Sequence, residues 1–203
     1  MNDFKKIFES HYTWIEGFMR NVRRYPEKTA LIDPLRKLTQ NYKLLNAEVN
    51  RLSNTLMAND FQPHDIVMVL LKNCPEFVYA YIAAHKMHGV CCPVSFRLSA
   101  GELAWAMTDA KPRVFIYDVR FDETVKEALR LSSYQPEHVI VVGGKENADA
   151  VTYPEFVAGG KNLRSYAIIT PTTRPCASIL RGQRVDLRRC HCSLSTRYSL
   201  HTM

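Results

Sequence analysis

Several groups of residues have types and spacings that invite chemistry. Cys190-His191-Cys192, with His201 further on, offers sulfur and imidazole donors of the kind that hold zinc. A lone Cys-x-Cys lacks the paired two-residue spacing of a zinc ribbon, so no metal site is assigned to it. His85 and His88 lie three apart in a stretch of helical spacing, where they could share a face. No acid or cysteine accompanies them, and a surface or packing role is expected. Cys91 and Cys92 sit inside the apolar run Val90-Cys91-Cys92-Pro93-Val94, where a thiol behaves as a small buried hydrophobe. Glu76 and Glu102 fall in first helical turns, where a carboxylate favours the helix dipole, which makes them poor general bases. Arg97 precedes a helix N-terminus and is expected to pair with a carboxylate or carbonyl rather than a substrate. No residue is assigned a catalytic, cofactor-binding or metal-binding role on these grounds.

The elements that would carry these residues alternate between two periods. Trp14, Ile15, Phe18, Met19 and Val22 give one apolar helix face, and Leu45, Val49, Leu52 and Leu56 give another on a long helix from about Tyr42 to Asn59. Thr29-Ala30-Leu31-Ile32 reads as a short strand ended by Asp33-Pro34. Ile66-Val67-Met68-Val69-Leu70-Leu71 is a continuous apolar run of strand length, which suits a strand covered on both faces. Pro75 stands where a first helical turn tolerates proline, and Phe77, Tyr81 and Ala84 follow at helical spacing. Val90 to Val94 is a second such strand. Ser99-Ala100-Gly101-Glu102 fits a capping box and opens a helix to about Asp109. Val114 to Tyr117, Asp122 to Leu131 and His138 to Val142 continue as strand, helix and strand. Crossovers of a dozen or more residues imply βαβ units, so the fold class is α/β, a layered, mainly parallel sheet with helices on both faces.

Composition divides the chain. Of its 203 residues, those up to position 161 carry 20 basic and 19 acidic side chains, while 162–203 carry seven arginines, no lysine and the single acid Asp186. The net charge of +7 therefore belongs mostly to the last 42 residues, and a nearly neutral body argues against specific nucleic-acid binding. The tail also holds Cys176, Cys190 and Cys192 and shows no sustained apolar period from Ile179 onward. It is expected to be either a frameshifted or a genuine variant C-terminus, separate from a domain over 1–161. No apolar run approaches a membrane span, and Met1 to Lys6 lead into no secretory signal, so the expected location is cytoplasmic.

Within residues 11–160 the order of motifs resembles the AMP-forming acyl-CoA synthetases of the adenylate-forming family, N-terminal portion only. The stretch Tyr42 to Asn54 is similar to that family's long first helix. Pro63-His64-Asp65-Ile66-Val67 resembles its turn into the first buried strand, with His64 where glycine is usual. Asn73-Cys74-Pro75-Glu76-Phe77, Tyr81 to Lys86, Gly89, Pro93, Arg97-Leu98, Glu102-Leu103, Asp109 and Pro112 continue in register. Asn73 and Gly89 are expected at strand ends, where side-chain bonding to backbone and a positive φ are useful.

The resemblance implies a ligase reaction in two steps: ATP and a carboxylic acid give an acyl-adenylate and pyrophosphate, and the thiol of coenzyme A then displaces AMP. It thereby implies ATP, Mg²⁺ and CoA for the full-length family, with a small carboxylic acid and CoA as its partners, and none of these for this chain alone. The family's phosphate loop, rich in Ser, Thr and Gly with a lysine, is due shortly after residue 160. Here the sequence reads Ile168-Ile169-Thr170-Pro171-Thr172-Thr173-Arg174-Pro175-Cys176, with no glycine, no lysine and two prolines. Backbone approach to phosphate favours glycine and free N–H groups, so this segment is not expected to cradle a triphosphate. The chain is expected to be inactive alone. The alternative is a non-catalytic, truncated protein that binds a partner or itself through exposed apolar surface.

Overall fold

The computed structural model describes residues 13–144 and 150–158. The break expected at 162, the segment Ile168 to Cys176 and the Cys190-His191-Cys192 group lie outside the described residues. An N-terminal helix α1 (Trp14–Arg24) is followed by an antiparallel hairpin of β1 (Thr29–Asp33) and β2 (Leu38–Asn41) and by the long helix α2 (Tyr42–Ala58). Five parallel strands come next: β3 (Ile66–Leu70), β4 (Val90–Pro93), β5 (Val114–Asp118), β6 (His138–Val142) and β7 (Val151–Thr152). They are joined or followed by α3 (Pro75–Lys86), α4 (Ala100–Ala110), α5 (Asp122–Leu131) and α6 (Tyr153–Ala158). The architecture is the α/β layer expected from the apolar runs.

The sheet order is β4-β3-β5-β6-β7. From β3 the chain steps to β4 on one side, then returns across β3 to β5 and continues away. Right-handed crossovers made in opposite directions must place their helices on opposite faces. The packing follows that rule. Val67, Val69, Val114, Ile116, Ile140 and Val142 point into a core shared with α2, α3 and α6, while α1 contributes Phe18. Met68, Leu70, Phe115, Tyr117 and Val141, the alternate strand positions, point into a second core with α4 and α5. All five residues of β5 are buried.

Polar devices fix the ends of these elements. Ser99 and Glu102 close the anticipated capping box on α4, with the Ser99 N–H donating to Glu102 Oε2 at 2.8 Å. At the amino edge of the sheet, the Arg113 guanidinium lies 3.3 Å from Asp65 and 2.9 Å from Glu137, tying together the entries to β3, β5 and β6. The hairpin is held by the buried Tyr79 hydroxyl, which donates to Gln40 Oε1 at 2.8 Å.

Two local expectations change. His88 is not on a helix with His85: α3 ends at Lys86, and His88 takes a positive φ of 56° in the turn beyond. Gly89 is not needed for a positive φ. It is needed for space, because a Cβ there would meet the Phe61 ring at 2.6 Å and the Asp65 carbonyl oxygen at 2.8 Å. The left-handed residue at the preceding turn is His64, at φ 75°, which accounts for glycine being usual there in the resembling family.

Opposite effects on stability follow at two sites. Gly89→Ala should destabilise by on the order of 2 kcal/mol, since the clash falls on backbone and an aromatic ring. Lys111→Gly should stabilise by about 0.5–1 kcal/mol, since exposed Lys111 ends α4 in the left-handed conformation at φ 48°. Urea unfolding of the two variants checks both signs.

Candidate functional site

In an open parallel sheet, ligands collect outside the carboxyl ends of the strands where the strand order reverses. Here that point lies between β3 and β5. The central strands β3 and β5 are largely apolar and buried on both faces, so the polar groups sit at their ends and just beyond them. Lys72 and Cys74 follow β3, Phe96 and Arg97 follow β4, and Asp118, Arg120 and Phe121 close or follow β5.

Phe96 and Phe121 stack with ring centroids 6.2 Å apart and planes at 16°. The Lys72 ammonium lies 5.6 Å from the first ring and 6.0 Å from the second, and the Arg97 guanidinium lies 5.9 Å from Phe96. Arg97 was expected beside a carboxylate or carbonyl. It lies over an aromatic face instead, with no carboxylate within ion-pair distance among the described residues. Arg120 grips Asp118 in a fork, with Nε donating to Oδ1 at 2.8 Å and Nη2 to Oδ2. The Arg120 backbone N–H donates to the same Oδ1 at 3.0 Å, so Asp118 also caps the short turn over Val119–Phe121. The Arg120 hydrogen bond is the main reason the Asp118 carboxyl stays below the ordinary carboxylate range, and the Lys72 charge adds to it.

The remaining reactive groups are engaged or muted. Cys74 occupies the N-cap of α3, yet burial pushes its thiol up to about 11, away from nucleophilic character at neutral pH. Cys91 and Cys92 are half-buried and face opposite sides of the sheet, Cys91 against one core and Cys92 against the other, and burial pushes Cys91 up to about 12. Glu76 is held by Arg36 through bonds of 2.6 and 2.8 Å. His85 packs its ring against Trp14 and Tyr81, with Nδ1 at 2.8 Å from the Tyr81 carbonyl oxygen. Asp122, only 2% exposed, accepts the Tyr117 hydroxyl at 2.7 Å and lies 2.7 Å from Lys126 Nζ. Burial alone would push Asp122 up, but these two partners outweigh it and hold it below the ordinary range.

This edge is an aromatic shelf carrying three cations and one neutralised acid. It can receive an anionic group beside a flat apolar surface. It does not suit a divalent cation: both Asp118 oxygens are taken by Arg120, and the described residues contain no cluster of three His, Cys, Asp or Glu able to hold a metal. Lys72, Phe96, Asp118, Arg120 and Phe121 were not singled out in the sequence. Each lies just past an apolar run, and that position was the available signal, but the strand reversal that brings them together is not written in any one segment.

A family model described as AMP-binding enzyme matches residues 18–170. Among curated proteins, a crotonobetaine/carnitine–CoA ligase of Salmonella enteritidis is 28% identical over 128 residues, covering 62% of this chain and 25% of that protein. The ligase of the same description from Citrobacter koseri is 30% identical over 129 residues, covering 61% and 24%. The chain thus spans about a quarter of the length of these relatives. Among solved structures, the anthranilate CoA ligase AuaEII in complex with anthranoyl-AMP superposes with a TM-score of 0.68 at 18% identity, over 76% of this chain and 29% of that one. The N-terminal domain of FACL13 from Mycobacterium tuberculosis gives 0.59 at 21% identity, over 81% and 38%. These structures share the fold.

The Asp118–Arg120 fork has a pH signature. A carboxyl depressed by folding stabilises the fold above its unfolded value near pH ~4 and loses that contribution as the pH falls through the folded value. Asp118→Asn should therefore lower Tm at pH 7 by on the order of 2 °C, given that Arg120 is exposed. The gap between variant and parent should close below about pH 3. Thermal melts across pH 2.5–7 check it.

Proposed function

Because the chain belongs to the AMP-binding enzyme family, we propose that it is the N-terminal portion of an acid–CoA ligase that works through an acyl-adenylate. The observation that carries this reading is the match over 18–170, supported by a doubly covered parallel sheet of the same kind as in solved CoA ligases. In such a reaction a carboxylate oxygen attacks the α-phosphorus of ATP, pyrophosphate departs, and a thiol then takes the acyl group while AMP leaves.

The part of that reaction this chain can serve is structural and electrostatic. Its sheet sets Lys72, Arg97 and Arg120 on one edge beside the Phe96–Phe121 pair, a surface suited to lie against an anionic portion of a nucleotide or acyl substrate. It presents no poised nucleophile and base at that edge. The segment Ile168 to Cys176, free of glycine and lysine, gives no ground for a triphosphate cradle. The chain alone is accordingly proposed to be inactive. Pyrophosphate exchange into ATP, measured with the pure chain and a panel of carboxylic acids, should stay at background; exchange above background would overturn this part of the reading.

A second reading is favoured by one observation. Ile32, Leu35 and Trp105 are large apolar side chains left 65%, 94% and 59% exposed. The chain is then a non-catalytic module that associates with itself or with a partner through such surface. Sedimentation velocity of the pure chain should show concentration-dependent association, weakened by Leu35→Ser. A monodisperse monomer at tens of micromolar would count against this second reading and leave the first standing.

A further inference from the structure

The turn between β1 and β2 presents an apolar side chain on a fixed backbone. Leu35 lies at its tip, 94% exposed, with Ile32 and Pro34 exposed beside it. The turn behind it is held from several directions. Asp33 Oδ1 accepts the backbone N–H groups of Leu35 at 3.0 Å and Arg36 at 3.2 Å, and the Lys37 N–H donates to the Pro34 carbonyl oxygen at 3.4 Å. Arg36 Nη1 then reaches across to α3 and donates to both Glu76 oxygens, at 2.6 and 2.8 Å. Between this turn and the start of α3 opens a cleft of about 350 Å³, walled by Leu31, Ile32 and Pro34 on one side and by Pro75, Phe77 and Val78 on the other. A lone exposed leucine needs no explanation. One fixed beside an apolar cleft can dock without first giving up the freedom of a mobile loop.

We propose that this face docks a second copy of the chain, with Leu35 of each copy seated in the cleft of the other. The inference rests on the second reading above and names its occupant and its contact. Charge favours a second copy over a strongly charged partner. The turn and the first turn of α3 carry two acids, Asp33 and Glu76, and two cations, Arg36 and Lys37, with Arg36 already beside both acids. Two such faces meet without an excess of like charge, whereas an acidic or basic partner would find no complement. The N–H groups of Leu35, Arg36 and Lys37 already have acceptors, so covering the turn leaves none of them unpaired. Leucine and cleft lie side by side on one face, so a twofold axis makes the same contact twice. One side chain and its rim cover less than the ~800 Å² per partner of a stable complex, and the dimer is weak and reversible.

The test uses two variants of the full chain, one without the inserted side chain and one with the cleft filled. Leu35→Ala removes the leucine, and Asn73→Trp puts an indole into the cleft from an exposed lining position. In sedimentation velocity each variant alone should dimerise about tenfold or more weakly than the parent. An equimolar mixture should associate more tightly than either variant alone. In the mixed dimer the leucine of the Asn73→Trp copy still finds the open cleft of the Leu35→Ala copy, so one of the two contacts returns. That recovery also shows both variants to be folded. Association undiminished in Leu35→Ala, or lost in both variants with no recovery on mixing, overturns the proposal and leaves self-association through another surface standing. A parent chain that stays monomeric at tens of micromolar overturns the proposal and the second reading together.

Discussion

The structure depends on one constraint: a parallel sheet covered on both faces must send every residue of its central strands into one apolar core or the other. In β5 the alternation is complete, with Val114 and Ile116 on one side and Phe115 and Tyr117 on the other, all fully buried. A one-residue slip in the register of β5 against β3 would exchange those two sets. The side chains would then meet cores shaped for different volumes, since α2 and α3 present valines, leucines and alanines while α4 and α5 offer Met107 and Leu103 beside Ala104 and Ala128. Register, topology and helix placement are thus settled together rather than one after another.

The same constraint determines where polar chemistry can sit. A strand interior buried on both faces has no room for an unpaired charge, so charged groups are displaced to the strand ends. At the amino edge they act as fasteners, as Arg113 does between Asp65 and Glu137. At the carboxyl edge the loops diverge around the reversal between β3 and β5, and Lys72 and Arg97 lie over aromatic rings rather than beside carboxylates. The buried acid Asp122, at the first position of α5, is tolerated because Tyr117 and Lys126 partner it. The amino edge is closed by ion pairs, while the carboxyl edge holds one, Asp118 with Arg120, and sets Lys72 and Arg97 over aromatic rings.

Much of this layer was legible because burial writes itself into composition. Ile66 to Leu71 and Val139 to Val142 are apolar without interruption, and Ser99 with Glu102 marks the start of α4 through a local hydrogen-bond pattern. What was illegible depends on distant partners. Leu38-Thr39-Gln40-Asn41 has no apolar run, and it forms a strand because β1 pairs with it and Tyr79, thirty-nine residues from Gln40, satisfies that amide. The two-residue β7 takes its place from β6. His88 lies where helical spacing continues past the true end of α3, and its positive φ belongs to the turn into Gly89 and β4. The carboxyl-edge site was unreadable for the same reason, because Lys72, Phe96 and Phe121 become neighbours only after the strand order is known.

Folding and chemistry therefore make separable demands on this chain. Both cores close among the described residues: α6 completes the first by packing Tyr153, Phe156 and Val157, and the Thr55 hydroxyl reaches the Val157 carbonyl oxygen across the seam with α2. Ala150 completes the second from the connection before β7. Each face of the layer thus has an apolar core of its own. Adenylate formation demands something different, donors converging on a triphosphate, and a sheet edge with three cations and one neutralised acid meets only part of that demand. Fold and reaction are separable in this sense, because residues that close a core and residues that stabilise a transition state answer to different physical demands.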